Sequence, residues 1–296
     1  LDFLEKTGLT IVKEEKKFDR FKGRVMFPIQ NISGRVLGFG GRILTSDKKA
    51  AKYLNSPESD IYHKSKVLYG IFHAKKSIVA KDTCYLVEGY TDVISLHQSG
   101  VENVVASSGT SLTIEQIRLI KRYTPNITIL FDGDAAGLKA SFRGIDMILE
   151  AGLNVKVVLF PDGEDPDSYA RSHTQAEILS FLDSESKDFI KFKTDVLLKE
   201  AGKDPIKKAG LIKDIVESIA LIPDPIIRSV YIQECSSMMG MEEEMLLTEL
   251  NKSRKQKISK KLAAPNESNP SINVPEYLPK ESSKSTARKV NYQEQD

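Results

Sequence analysis

Three short apolar runs, each closed by acidic residues, constrain this chain more than any other feature. Residues 84–87 (CYLV) lead into Glu88, residues 127–131 (ITILF) into Asp132, and residues 155–160 (VKVVLF) into the PDGEDPD segment at 161–167. The runs are too short for helices and rich in β-branched residues, so they read as buried strands. In an open parallel sheet the carboxyl ends of the strands converge on one crevice. Acids distant in sequence then become neighbours, and carboxylates so crowded repel one another unless a cation lies between them. Glu88, Asp132, Asp134, Asp165 and Asp167 therefore read as a set that binds a divalent cation of the magnesium type.

Each acid also has a plainer reading. Asp92 falls in the first turn of the expected helix after LVEGYTD, where a carboxylate stabilises the helix dipole without touching a ligand. In FDGDAAG, Asp132 and Asp134 alternate across an extended stretch and could reach one cation, yet Asp and Gly are also favoured in turns. That motif by itself leaves both readings open. Three acidic clusters at the ends of strands in one sheet are much harder to assign to turns.

Between and around these runs the signals alternate. Strands are expected at 84–87, 102–106, 127–131 and 155–160, with helices at 90–98, 113–123 and 135–150, the pattern of a parallel sheet flanked by helices. Thr113 is a candidate helix cap and Gly152 a helix terminator. Upstream, RVMFPIQNISGRVLGFGGRIL carries two apolar runs around Asn31, Ser33 and Gly34, a hairpin signal. Its GFGG lacks dinucleotide-binding spacing and reads as a closely packed strand. Downstream, apolar residues recur at helical spacing to about residue 251, and Pro205, Pro223 and Pro225 divide the segments of an antiparallel helical bundle. A basic run at 252–261 precedes a polar tail. The expected organisation is an α/β protein with an N-terminal mixed α/β subdomain (1–81), a central parallel-sheet subdomain (82–173), a helical bundle (174–262) and a disordered linker (263–296).

Charge refines this picture. The 43 basic and 41 acidic residues nearly cancel to +2, but the two signs cluster in different segments. Basic residues recur between apolar and aromatic positions through the first subdomain. Scattered lysines there read as a solvated face, whereas Arg24, Arg42, Lys52 and Lys64 lie beside apolar runs or in turn-rich stretches, the mixture that a phosphate-lined groove needs. Only two cysteines occur, Cys84 and Cys235. That excludes an all-cysteine zinc site, argues against a disulfide framework because the two lie far apart in sequence, and points to a reducing, cytoplasmic setting. The four histidines show no metal-ligand spacing. No apolar stretch approaches the ~20 residues that span a bilayer, so no membrane association is expected. The first residue, Leu1, suggests a piece of a longer protein.

Taken together, LVEGYTD, FDGDAAG and PDGEDPD resemble the Toprim domain, a magnesium-binding module of bacterial primases, topoisomerases and some nucleases. GRVMFPI, GRVLGFGGR, KYLNSPES, IYHK and LYG, within residues 23–70, resemble the amino-terminal part of the RNA polymerase domain of DnaG-type bacterial primases. The likeness is close over residues 1–170 and one of helical character beyond that. It departs from the family pattern in lacking the zinc-binding module and a carboxy-terminal helicase-binding domain, to which the 263–296 tail would be the linker.

This resemblance implies a DNA primase, a nucleotidyltransferase that copies single-stranded DNA into short RNA primers from NTPs and leaves an RNA–DNA hybrid. It implies one or two Mg²⁺ or Mn²⁺ ions held by Glu88, Asp132, Asp134, Asp165 and Asp167. Glu88, Asp132 and Asp134 would be catalytic, with Glu88 either a ligand or the base, and Asp92 would stand behind the ligands. Arg24, Arg42, Lys52, Asn55 and Lys64 would contact the template or the triphosphate, and the replicative helicase would be engaged through the absent carboxy-terminal domain. Two alternatives remain open: a Toprim nuclease or topoisomerase fragment, and a non-catalytic docking module for replication proteins.

Overall fold

In a computed structural model, residues 2–14, 16–45, 51–109, 111–133, 135–202 and 204–263 are described. Asp134 and the tail expected to be a linker beyond residue 263 lie outside these residues. The backbone groups Leu1–Lys257 into one compact unit and Ile258–Asp296 into another.

The first unit begins with a short helix α1 (Asp2–Lys6) and a hairpin of β1 (Thr10–Lys13) and β2 (Lys16–Asp19). Next comes an antiparallel three-stranded sheet of β3 (Arg24–Gln30), β4 (Val36–Ile43) and β5 (Tyr53–Asn55), in the order β3-β4-β5. The expected hairpin is β3–β4. Its turn is held by the Asn31 side chain, whose Oδ1 accepts from the Ser33 and Arg35 amides at 2.9 and 3.0 Å, while Gly34 takes a φ of +86°. The GFGG glycines serve close packing as expected, because a Cβ on Gly40 would fall 2.5 Å from the Tyr90 ring.

After α2 (Ile71–Lys81) the chain alternates through β6 (Cys84–Val87), α3 (Tyr90–Gln98), β7 (Val104–Ala106), α4 (Ile114–Lys121), β8 (Asn126–Phe131), α5 (Ala135–Glu150) and β9 (Asn154–Leu159). Thr113 caps α4 through a capping box with Gln116, and Gly152 turns with a φ of +76° after α5. The sheet order is β10-β9-β8-β6-β7. Its four long members are parallel, as expected. The two-residue antiparallel edge β10 (Lys187–Asp188) is an addition the sequence did not announce, because two residues carry no periodicity.

Side chains alternate across the pleat. Leu86, Ile129 and Val157 face a core shared with Ile117, Ile120, Ile145 and Ile148, whereas Val87, Leu130 and Val158 face Val93, Leu96 and Tyr169. Helices α2, α4 and α5 thus cover one face. The other carries α3 with α6 (Pro166–Ser172) and α7 (Gln175–Ser184).

Helices α8 (Phe189–Ala201), α9 (Pro205–Ile219), α10 (Pro225–Met239) and α11 (Glu243–Ala263) complete the described chain. The Asp-Pro dipeptides at 165–166, 204–205 and 224–225 each open a helix, with the aspartate accepting from amides of the first turn and the proline at the first helical position, where no amide donor is needed. The far end of α9 and the loop after it are closed by cations: Lys257 donates to the Glu217 carbonyl at 3.2 Å and Arg254 to that of Ala220 at 3.1 Å, while Arg228 from α10 donates to the loop carbonyls of Ile222 at 2.6 Å and Pro223 at 2.8 Å. Positive side chains there satisfy orphan carbonyls and oppose the negative end of the helix dipole.

Candidate metal and nucleic-acid site

From β6 the chain moves through α3 to β7 on one side, then crosses back through α4 to β8 on the other side of β6. Because α3 and α5 leave neighbouring strands toward opposite faces, the ends of β6 and β8 flank a topological switch point, where open α/β sheets bind ligands. Glu88 follows β6 and Asp132 follows β8, and the two strands pair in parallel with Leu86 opposite Ile129. Both acids are exposed. The backbone at Glu88 is fixed by its neighbours, since the Ser107 amide donates to the Val87 carbonyl at 3.3 Å and the Ser108 amide to the Glu88 carbonyl at 3.1 Å.

The second and third acidic loops are tied together. Gly133 donates its amide to the Glu164 carbonyl at 3.0 Å, and a Cβ there would lie 2.0 Å from the Pro161 carbonyl oxygen, so only glycine permits this approach. Asp132, Asp162, Glu164 and Asp165 line one open cavity of about 420 Å³. Within it, Glu164 Oε2 is buried and has no hydrogen-bond partner. Glu88 instead borders a separate cavity of about 410 Å³ with Ser107, Gly109 and Ser111.

Asp92 reports the convergence electrostatically. Its carboxyl is pushed up to about 6, first by burial and further by the charges of Asp132, Asp165 and Asp167, while the hydrogen bond from the Gly89 amide at 2.9 Å pulls the other way. Asp165 and Asp167 also hold structural contacts. Asp165 accepts from the Ser168 amide at 2.7 Å as the cap of α6, and buried Asp167 accepts from Ser95 Oγ at 2.5 Å and from Arg171 at 2.7 Å. Among the described residues no three His, Cys, Asp or Glu side chains are grouped closely enough to hold a metal ion. The donor set nevertheless fits a hard dication, because it is all oxygen, carries an unpartnered buried carboxylate oxygen at Glu164 and holds like charges near enough to perturb Asp92.

The basic residues lie against this region in two ways. Asn55 and Lys64 clasp the loop beside Glu88: Asn55 donates to the Ser108 carbonyl at 3.3 Å and accepts from Tyr90 Oη at 2.8 Å, and Lys64 Nζ donates to the Gly109 carbonyl at 3.1 Å. Arg42 and Lys52 gather at the Tyr53 ring, 5.7 and 5.9 Å from its centroid, and Tyr53 Oη lies 3.5 Å from Thr91 Oγ1 on α3. Arg24 faces the backbone, donating to the carbonyls of Gly41 at 3.2 Å, Ala51 at 2.9 Å and Lys52 at 3.4 Å. Sequence reasoning did not single out Tyr90, Ser95 or Arg171. Ser95 had one readable signal, its position three residues after Asp92 on the same helical face.

Comparison with known proteins assigns the lineage. Residues 1–75 match the family described as DNA primase catalytic core, N-terminal domain, and residues 85–170 match the Toprim-like family. A crystal structure of a DNA primase domain from Pseudomonas aeruginosa superposes with a TM-score of 0.75 at 34% identity, covering 84% of this chain and 79% of that one. The chain belongs to the DnaG-type primase family. The DNA primase of Clostridium acetobutylicum is 39% identical over 258 residues, which is 86% of this chain and 42% of the relative, so the chain spans about two-fifths of that primase. A structure of the DnaG primase catalytic domain bound to ssDNA is similar with a TM-score of 0.71 and 34% identity, covering 80% of this chain and 77% of that one. A further match amends the reading of the helical region. Residues 190–244 match the DnaB-helicase binding domain of primase, a segment that the sequence reading had put outside the chain. Primases of the Toprim type use divalent metal, and among the described residues no helix is long and apolar enough to cross a membrane.

Proposed function

We propose that this chain is the RNA-synthesising core of a cytoplasmic primase, joining NTPs on a single-stranded DNA template into a short RNA primer paired with that template. The observation that carries the reading is the tie between the Asp132 and Asp162–Asp165 loops through Gly133, which puts their acids on one cavity at a switch point bordered by a basic, aromatic surface. The likeness to a primase domain solved with ssDNA supports the template class. On this proposal residues 1–81 supply the basic surface, 82–173 the acidic crevice and 174–262 the helical region, and the match over 190–244 supports contact with a replicative helicase.

Primer extension requires a 3′-hydroxyl to attack an α-phosphate while pyrophosphate leaves, so negative charge accumulates on oxygens that acidic side chains such as Glu88 and Asp132 would repel without a cation. We assign Glu88, Asp132, Asp134, Asp165 and Asp167 to holding Mg²⁺ or Mn²⁺, which when bound would neutralise the triphosphate and acidify the attacking hydroxyl. Asp167, engaged by Ser95 and Arg171, anchors α6 behind Asp165 and keeps that cap in register. Glu88 either joins the ligand set or takes the proton from the hydroxyl. Asp92 holds the turn after β6 through the Gly89 amide. Arg42 and Lys52 draw the phosphates of template or nucleotide to the Tyr53 edge of the crevice, while Arg24, Asn55 and Lys64 set the shape of that edge through their backbone contacts.

The test is incorporation of labelled NTPs on single-stranded DNA with Mg²⁺ or Mn²⁺. Template-dependent dinucleotides are expected and should disappear with EDTA. Metal-supported cleavage of DNA without incorporation would replace this reading with a Toprim nuclease.

A further inference from the structure

Helix α3 has a second functional face. At 100° per residue, Asp92 and Ser95 lie on one side of the helix and Ile94 and His97 on the other. The first pair faces the acidic loops. The second borders a cavity of about 570 Å³, closed opposite by Tyr69, Phe72 and His73 at the start of α2 and by Gln30 from β3. That volume falls in the range of about 300–1,000 Å³ usual for small-molecule sites.

The chemistry of the walls selects a ligand class. No Lys, Arg, Asp or Glu lines this cavity among the described residues, in contrast with the crevice on the other side of α3, and Lys75, whose Nζ stands 4.7 Å from the centroid of the Phe72 ring, is engaged by the Ile32 carbonyl. Its apolar surface comes from Val93, Ile94 and Val104, and its flat surface from the rings of Tyr69, Phe72 and the two histidines. The imidazoles of His73 and His97 stand with centroids 6.2 Å apart and planes inclined by 68°. His73 is held by Gln30, with Nε2 3.1 Å from Oε1. Neither His97 nor Gln98 makes a side-chain hydrogen bond within the described residues, so a ring nitrogen and an amide are left at the rim with donor and acceptor capacity unspent. Ile94 is 42% exposed at the mouth, an apolar lip of the kind that a planar ligand covers.

We propose that the cavity between α2, α3 and β3 binds an uncharged, planar heteroaromatic of nucleobase size, stacked against the Tyr69–Phe72–His73 side and read at its polar edge by His97 and Gln98. This assignment rests on the cavity alone and stands or falls independently of polymerase activity. One helix then touches two ligands, the phosphates of the acidic crevice on one face and an uncharged ring on the other.

Amide-resolved NMR titration of the full chain with adenosine, and with AMP as the charged comparison, tests the proposal. Adenosine should give saturable shifts at residues 70–73 and 93–98. AMP should bind there more weakly, because no Lys or Arg lines the cavity and Lys75 beside it already donates to the Ile32 carbonyl. Ile94→Trp, which fills the mouth, should abolish these shifts, and His97→Ala should weaken them about fivefold through the loss of one hydrogen bond. Asp132→Asn should leave them unchanged. The proposal is overturned if adenosine gives no saturable shifts, if AMP binds this cavity more tightly, or if the shifts centre on residues 88 and 132, survive Ile94→Trp and vanish in Asp132→Asn. Since Ile94 is exposed, a folded spectrum of Ile94→Trp away from α3 confirms that loss of binding is not loss of fold.

Discussion

The acidic crevice and the helical region treat buried charge in opposite ways. In the helices, Lys193 is 5% exposed, and its Nζ donates to Ser218 Oγ at 2.7 Å and to the Asp214 carbonyl at 3.2 Å, while the Ser218 hydroxyl donates to Asp146 Oδ1 at 2.6 Å. Burial lowers the lysine pKa, and Asp146, Asp214 and Glu217 oppose that shift. Arg228 is likewise committed to two carbonyls. Every cost of burying these charges is offset nearby, which is how a charge serves a fold. At the strand ends the arrangement is reversed: Asp92 is buried among charges of its own sign, and Glu164 keeps an unpartnered oxygen. Such uncompensated crowding weakens the isolated protein and is tolerable where a cation is to be bound.

The contrast is broken most severely at Asp132. Asp132→Asn should reduce nucleotide incorporation by a factor of about 10² or more, the usual loss when a group that positions developing charge is removed, with binding of single-stranded DNA largely kept. A fully active variant would remove Asp132 from the ligand set.

Asp92 gives the next largest effect, and its sign is definite. A carboxyl whose pKa is raised from 3.8 to about 6 in the folded state keeps a proton that the unfolded chain has released. Stability from this group is therefore greatest below about pH 4 and is lost as pH climbs through 6, by up to about 3 kcal/mol. In EDTA, Asp92→Asn should reduce by about 2 kcal/mol the difference in unfolding free energy between pH 4.5 and 7.5, because at pH 4.5 the unfolded carboxyl is already mostly ionised and the full effect is not yet present. Equal differences in the variant and the parent would mean that neither burial nor the neighbouring charges hold the proton on Asp92.

Lys193 tests the compensated side. Lys193→Met should cost about 2 kcal/mol in urea denaturation, because Ser218 and the Asp214 carbonyl lose a charged donor in a buried place. Incorporation per folded molecule should be unchanged. A loss of activity without loss of stability would erase the distinction between the two regions.

Much of this contrast was legible in the residues. Short β-branched runs announced the parallel strands, Pro205, Pro223 and Pro225 divided the helical segments, and the acids after each run pointed to a crevice, because each signal is local and set by burial or backbone geometry. What could not be read was long-range. The Asp165–Pro166 pair does carry a local helix-start signal, but nothing local in PDGEDPD reveals that Asp167 reaches Ser95, 72 positions earlier in the chain. The roles of Asn55 and Lys64 were hidden for the same reason: their partners, Ser108 and Gly109, lie 53 and 45 residues away, so residues expected at a phosphate are seen clasping a loop. The edge strand β10 and the separate cavity at Glu88 depend on packing that no periodicity encodes.

The smallest effect belongs to the basic surface and separates its two kinds of residue. Lys52 is exposed and rests near the Tyr53 ring with Arg42, so on the proposed function Lys52→Ala would remove one phosphate contact and little else. Affinity for single-stranded DNA should fall less than about tenfold at low salt, and the slope of log affinity against log salt should flatten by about 0.7, the value for one contact on a single strand. Asn55→Ala should behave differently. It frees Tyr90 and the Ser108 carbonyl rather than a phosphate, so the salt slope should be kept while incorporation declines through a loosened loop at Glu88. If Asn55→Ala flattened the slope as Lys52→Ala does, Asn55 would be a phosphate contact in the working complex, and the clasp seen here would open when the template binds.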